Sequence, residues 1–112
     1  MTSSNIRLLP GLLLKAAAPF PLSYVSTDFL GPLTAPARIV KFTNNSNADV
    51  YISWDGVNDH EIIPTGSFLL LDISSNKEQE RQLYIPEGTM FYYRGVSGAG
   101  STGLLYLSYY YA

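Results

Sequence analysis

The sequence predicts an all-β protein, a single β-sandwich preceded by an extended, proline-broken arm. Three observations predict it. Short apolar runs alternate with polar positions at a period of two, and clusters of Gly, Pro, Asn and Asp separate those runs. Pro10, Pro19, Pro21, Pro32 and Pro36 break the first 36 residues too often for a long helix. The clearest stretch is Arg38 to Lys77. There Val50, Ile52 and Trp54 share one face of an extended chain, while Tyr51 and Ser53 share the other.

The division expected is an apolar arm over residues 1–36 and a sandwich over 37–112. Within the arm, strands are expected near Ile6 to Leu9 and Leu22 to Asp28, and Leu12 to Ala18 could form about two helical turns, a length that is marginal in isolation. So many leucines make the arm too apolar to stay solvated. It must pack on its own domain or on a neighbouring subunit.

The strands expected beyond Pro36 are Ala37 to Thr43, Asp49 to Trp54, His60 to Ile63, Ser67 to Ile73, Gln82 to Ile85, Thr89 to Gly95 and Leu104 to Tyr110. Asn44 to Asn47 and Asp55-Gly56 supply turns on either side of the second of these. Pro64-Thr65-Gly66 and Pro86-Glu87-Gly88 repeat a tight-turn pattern, with glycine accepting a positive φ. Ser74 to Arg81, the one dense cluster of charge, reads as a solvated loop or a single capped helical turn. Val96 to Gly103 reads as a flexible glycine-rich connection, because no lysine follows it as a phosphate loop requires. The last strand is apolar on both faces, so it is either central to a sheet or covered by another chain.

At 112 residues the chain is one modest domain. Its charged fraction is 14%, against roughly 25% in ordinary domains, and it has nine tyrosines. That balance fits a protein that covers much of its surface with other protein, or a β-rich domain using tyrosine on half-buried strands. A formal net charge of −2 without a Lys/Arg cluster argues against nucleic acid. The absence of cysteine rules out disulfides, thiolate metal sites and a cysteine nucleophile. Pro10, Gly11 and Lys15 interrupt the apolar run that would otherwise suggest a signal segment, and they leave no stretch long enough for a membrane helix.

Asp55, Asp59, His60 and Glu61 form the densest set of potential ligands or acid-base groups. Their spacing does not match a calcium loop, and a single histidine without cysteine makes a poor zinc site. Asp59 and Glu61 could project from one strand face as a hydrolytic pair, but no cleft follows from proximity. A polar hairpin tip, with Asp55 and Asn58 bonding the turn backbone, explains the same residues. Trp54 could stack on a sugar, yet its alternation with Val50 and Ile52 points to the core. Asn44-Asn45-Ser46 fits a glycosylation acceptor and reads as a turn. No catalytic residue, cofactor or metal is therefore expected.

Lys41 to Lys77 combines an asparagine-rich turn, the run Val50-x-Ile52-Ser53-x-Asp55-Gly56 and the strand start Pro64-x-Gly66-x-Phe68. This third of the chain resembles segments of small virion proteins of tailed bacteriophages. Length, low charge and sandwich pattern are also similar to the jelly-roll cement, decoration or staple proteins of short-tailed phage capsids. The resemblance implies many copies on the outer capsid surface, made in the host cytoplasm and bridging major capsid protein subunits, with a dimer or trimer as the unit. It transfers no functional residue.

From the residues themselves, the contacts expected with such a partner are Leu8, Leu9, Leu12, Leu13, Leu14, Phe20 and Phe29 of the arm and Tyr109, Tyr110 and Tyr111 of the last strand. Deleting residues 1–36 is expected to abolish capsid binding and leave a folded sandwich. The rival readings are a head–tail connector or tail component, and a carbohydrate-binding module using Trp54 and surface tyrosines.

Overall fold

The computed structural model describes residues 9–72 and 84–111. They form two antiparallel sheets packed face to face, with no helix among them. One sheet contains β1 (Leu9–Pro10), β2 (Leu14–Ala17), β4 (Ile39–Ser46), β7 (Phe68–Asp72) and β9 (Gly103–Tyr111). The other contains β3 (Phe29–Leu30), β5 (Val50–Ser53), β6 (Glu61–Ile63) and β8 (Phe91–Gly95). In the first sheet β9 lies between β4 and the pieces β1 and β2, and β7 forms the far edge; the second runs β3-β8-β5-β6. The pairing is nested: β2 joins β9, β3 joins β8, β4 joins β7 and β5 joins β6.

The sandwich core follows from alternation. Val40 and Phe42 of β4 and Leu105, Leu107 and Tyr109 of β9 point inward, facing Val50, Ile52, Ile63 and Phe91 from the other sheet. Phe42 and Phe91 meet edge to face across the two sheets at 5.1 Å between ring centroids. Such aromatic pairs add attraction beyond the area they bury. The doubly apolar last strand is central, as one of the two alternatives for it required.

Residues 9–36 are built into the sandwich. Ala16, Phe20, Leu30 and Leu33 belong to the common core, and β1 and β2 together make one interrupted edge along β9. Pro10 is tolerated there because an edge strand can do without one ladder donor. Leu14–Ala17 is extended, not helical: Pro19 closes off any longer helix, and β9 offers the segment a four-residue ladder. Leu22 to Asp28 is irregular, and the pairing resumes at β3. Removing residues 1–36 would strip four core side chains and three strands. The truncated chain is thus expected to lose its cooperative thermal transition, in contrast to the folded remnant that an independent arm would leave.

Both proline–glycine turns form, with Gly66 at φ 77° and Gly88 at φ 89°. In each, the proline supplies the accepting carbonyl, to Ser67 N–H at 3.0 Å and to Thr89 N–H at 3.2 Å. Proline therefore stands at the first turn position, one residue earlier than where its fixed φ is most useful. The loop after β8 is tied down by Asn47, whose Oδ1 accepts from Ser101 N–H and Thr102 N–H at 2.9 and 3.2 Å. Ile85 makes a single bridge to Ala37; the rest of the strand expected at Gln82 to Ile85, apart from Tyr84, lies outside the described residues, as do Ser74 to Arg81 and most of Ile6 to Leu9.

Candidate functional site

The predicted contact residues separate by burial. Leu9, Leu12, Leu13 and Tyr110 are exposed, Leu12 at 62% and Leu13 at 55%. Leu14, Phe29 and Tyr111 are half-buried. Phe20 and Tyr109 are buried in the protein's own core and are not available to a partner: Phe20 packs edge to face on Tyr93, and the Tyr109 hydroxyl bonds Thr34 Oγ1 at 2.7 Å. Leu8 lies outside the described residues.

The hairpin after β5 is organised by Asp55. Its Oδ1 accepts from Val57 N–H at 2.8 Å and Asn58 N–H at 2.9 Å, its Oδ2 accepts from Asn58 Nδ2 at 3.0 Å, and Gly56 takes φ 78°. These bonds, those from Asn58 foremost, hold the Asp55 carboxyl well below the usual carboxylate range. Ser53 turns inward to accept from Gly56 N–H at 2.8 Å, which ends the alternation and swings Trp54 outward. Trp54 is 38% exposed, with its ring edge-on to Phe91, and is not the core residue that the pattern implied.

Asp59 leaves the hairpin and pairs with Arg94 on β8, which donates from Nε at 3.1 Å and Nη2 at 2.8 Å. Tyr24 donates its hydroxyl to Asp59 Oδ1 at 2.5 Å. The guanidinium lies over the rings of Tyr51, at 4.5 Å, and Tyr24, at 5.6 Å. Hydrogen bonding from Arg94 first and Tyr24 second lowers the Asp59 pKa. Burial first, and the neighbouring carboxylate second, raise that of Tyr24 far above the ordinary phenol range. Asp59 is consequently an ionised acceptor, engaged by Arg94 and Tyr24. His60 accepts from Trp54 N–H through Nδ1 at 3.0 Å. No three His, Asp or Glu side chains gather as a metal cage among the described residues.

Sequence reasoning found Asp59 but missed Tyr24 and Arg94. They stand 35 residues away on either side, and only the pairing of β5 with β8 brings Arg94 alongside Tyr51. Asn44, the first residue of the apparent glycosylation triplet, is fully buried in β4, so the turn falls later, at Asn47 to Asp49.

Both aspartates have folded-state pKa values below their unfolded ones. They stabilise the fold at pH values above the unfolded value of about 3.9, and that contribution disappears as pH falls through the folded values. The melting temperature is expected to decline below about pH 4, and Asp55→Asn should flatten this acid limb. An acid limb identical in the variant would show that the Asp55 turn bonds are not the cause. The Asp59 share should shrink in salt, because the pair is partly exposed.

No family model matches the chain, and no curated protein and no solved structure matches it.

Proposed function

We propose that this chain is a structural virion protein of a tailed bacteriophage, a capsid cement or decoration protein that binds the major capsid protein from outside. The observation that carries the reading is the exposure of Leu9, Leu12 and Leu13, within five residues of one another, at the β1–β2 edge of the sandwich. Exposed leucines so close together suit a surface that another protein covers. The nested pairing of β2 to β9 supports the jelly-roll form of the sandwich. Low charge and abundant tyrosine agree with a life spent largely in contact. Modest affinity at each site, repeated over a shell, adds up to a large stabilisation of the particle.

Copy number in purified particles of the encoding virus, measured by quantitative mass spectrometry against the major capsid protein, tests this directly. The reading expects a number on the order of hundreds, as a shell-wide multivalent binder requires. A handful of copies moves the chain to the head–tail connector or tail, and absence from the particle removes the virion reading. At residue level, the double substitution Leu12→Asp, Leu13→Asp should abolish binding to preformed shells with little change in melting temperature, since both side chains are solvent-facing.

A further inference from the structure

The outer face of the β3-β8-β5-β6 sheet carries a second constellation, whereas the exposed Leu9, Leu12 and Leu13 lie at strands of the other sheet. We propose that the groove around Tyr24, Asp59 and Arg94 is a binding site for a neutral oligosaccharide.

The groove has a volume of about 410 Å³ and is walled by Leu22 and Val57 beside Tyr24, Asp59 and Arg94. That size falls within the roughly 300–1,000 Å³ of small-ligand sites. Two smaller hollows adjoin it. One, of about 130 Å³, shares Tyr24 and Gly56; the other, of about 200 Å³, shares Asp59 and continues past Tyr51 to His60 and Glu61. Hollows that meet at shared side chains suit an elongated ligand made of repeating units.

The chemistry of the walls selects the class. Leu22 and Val57 are 61% and 76% exposed, so an apolar wall is open there to the apolar face of a ligand. Next to them stands a polar pair held rigid. Arg94 is fixed by two bonds to Asp59, by the Gly95 carbonyl through Nη1 at 3.3 Å and by two tyrosine rings, yet its side chain remains 24% accessible and that of Asp59 35%. A guanidinium has five N–H bonds in a planar fork, and an ionised carboxylate has several acceptor directions, so both keep capacity beyond these contacts. An adjacent donor and acceptor match a pair of vicinal hydroxyls, each of which both gives and takes a hydrogen bond. The C–H face of a pyranose matches the Leu22 and Val57 wall. Because the two charges neutralise each other at 2.8 Å, the central groove, where they are the charged lining, offers no net attraction for an anion or a cation, which favours an uncharged saccharide. The preset geometry also lowers the ordering cost of binding.

The test is an amide chemical-shift titration of the full-length isotope-labelled protein with maltohexaose, cellohexaose and chitohexaose, and with oligogalacturonate as a charged control. At least one neutral probe is expected to bind with a Kd on the order of 1 mM, shifting the amides of Tyr24, Gly56, Asp59 and Arg94. Arg94→Ala and Asp59→Asn should each weaken that binding by about tenfold or more, the scale of one lost charge-assisted hydrogen bond. Leu22→Asp, at a solvent-facing position, gives the same reading if either variant fails to fold. No saturable shift with any neutral probe up to about 10 mM, shifts centred away from the groove, or a response confined to oligogalacturonate would each overturn the proposal. Shell binding is read independently through Leu12 and Leu13, so failure of either idea leaves the other standing.

Discussion

Replacing Phe91 by alanine is expected to destabilise the protein by about 3–5 kcal/mol, the range for removing a buried aromatic ring. Phe91 is fully buried, and it is the ring on which both sheets converge, meeting Phe42 at 5.1 Å and Trp54 at 4.8 Å. Its removal opens a cavity between two layers of paired strands, which cannot collapse without breaking their ladders. Against a total stability of about 5–15 kcal/mol for a domain of this kind, that is a large fraction. Urea unfolding should show a lower midpoint at unchanged slope, which separates lost stability from a changed unfolded state. Trp54 reports the same event optically, since its edge contact with Phe91 disappears and its emission should move to the red. Phe68→Ala is the control: that ring is 61% exposed on β7, and its loss should fall within about 0.5 kcal/mol of zero. Similar effects at the two positions would mean that the Phe42–Phe91 contact does not hold the sheets together.

What the sequence revealed of this fold follows the strength of local alternation. β4, β5, β8 and β9 were readable because their inward residues recur every second position; two apolar faces left β9 either central or covered by another chain, and the pairing with β2 and β4 decides for the first. β2 was not readable. Leu14–Ala17 carries no strand pattern of its own, and its conformation comes from the ladder that β9 presents, a partner some ninety residues distant. Trp54 shows the opposite failure, in which a good pattern runs two residues too far, Ser53 being buried and Trp54 exposed. Ser53 serves the turn backbone, and that local demand overrides the alternation that placed Val50 and Ile52 correctly. The candidate groove was least legible. Asp59 lay in an evident polar cluster, but nothing near Tyr24 or Arg94 marked them as its neighbours, because charge pairing across strands leaves no periodic trace in a chain.

Asn44→Ala is the second large expected effect, a loss of about 3 kcal/mol, since it leaves several buried groups without partners. Asn44 is fully buried near the end of β4, where its Nδ2 donates to the carbonyls of Ala48 and Ile63, both at 2.8 Å. Its Oδ1 accepts from Ser46 Oγ at 2.5 Å and Ser46 N–H at 3.2 Å. One side chain thus ties the β4–β5 turn to the end of β6, in a place where water cannot substitute. Asn44→Asp separates hydrogen bonding from shape. The aspartate is almost the same size, but its ionised form would face two carbonyl oxygens without a proton to offer. Burial and that repulsion raise its folded-state pKa above the unfolded value of about 3.9. The sign is then fixed: the variant is least impaired below that value, and it loses stability as pH rises and the carboxyl must ionise. Its melting temperature should fall between about pH 4 and pH 7, where the parent protein, governed by Asp55 and Asp59, holds steady or gains. Melting curves of the two proteins across that interval decide the matter. A constant difference between them would mean that the position accommodates a charge, and that the two carbonyls are not held by the Asn44 amide.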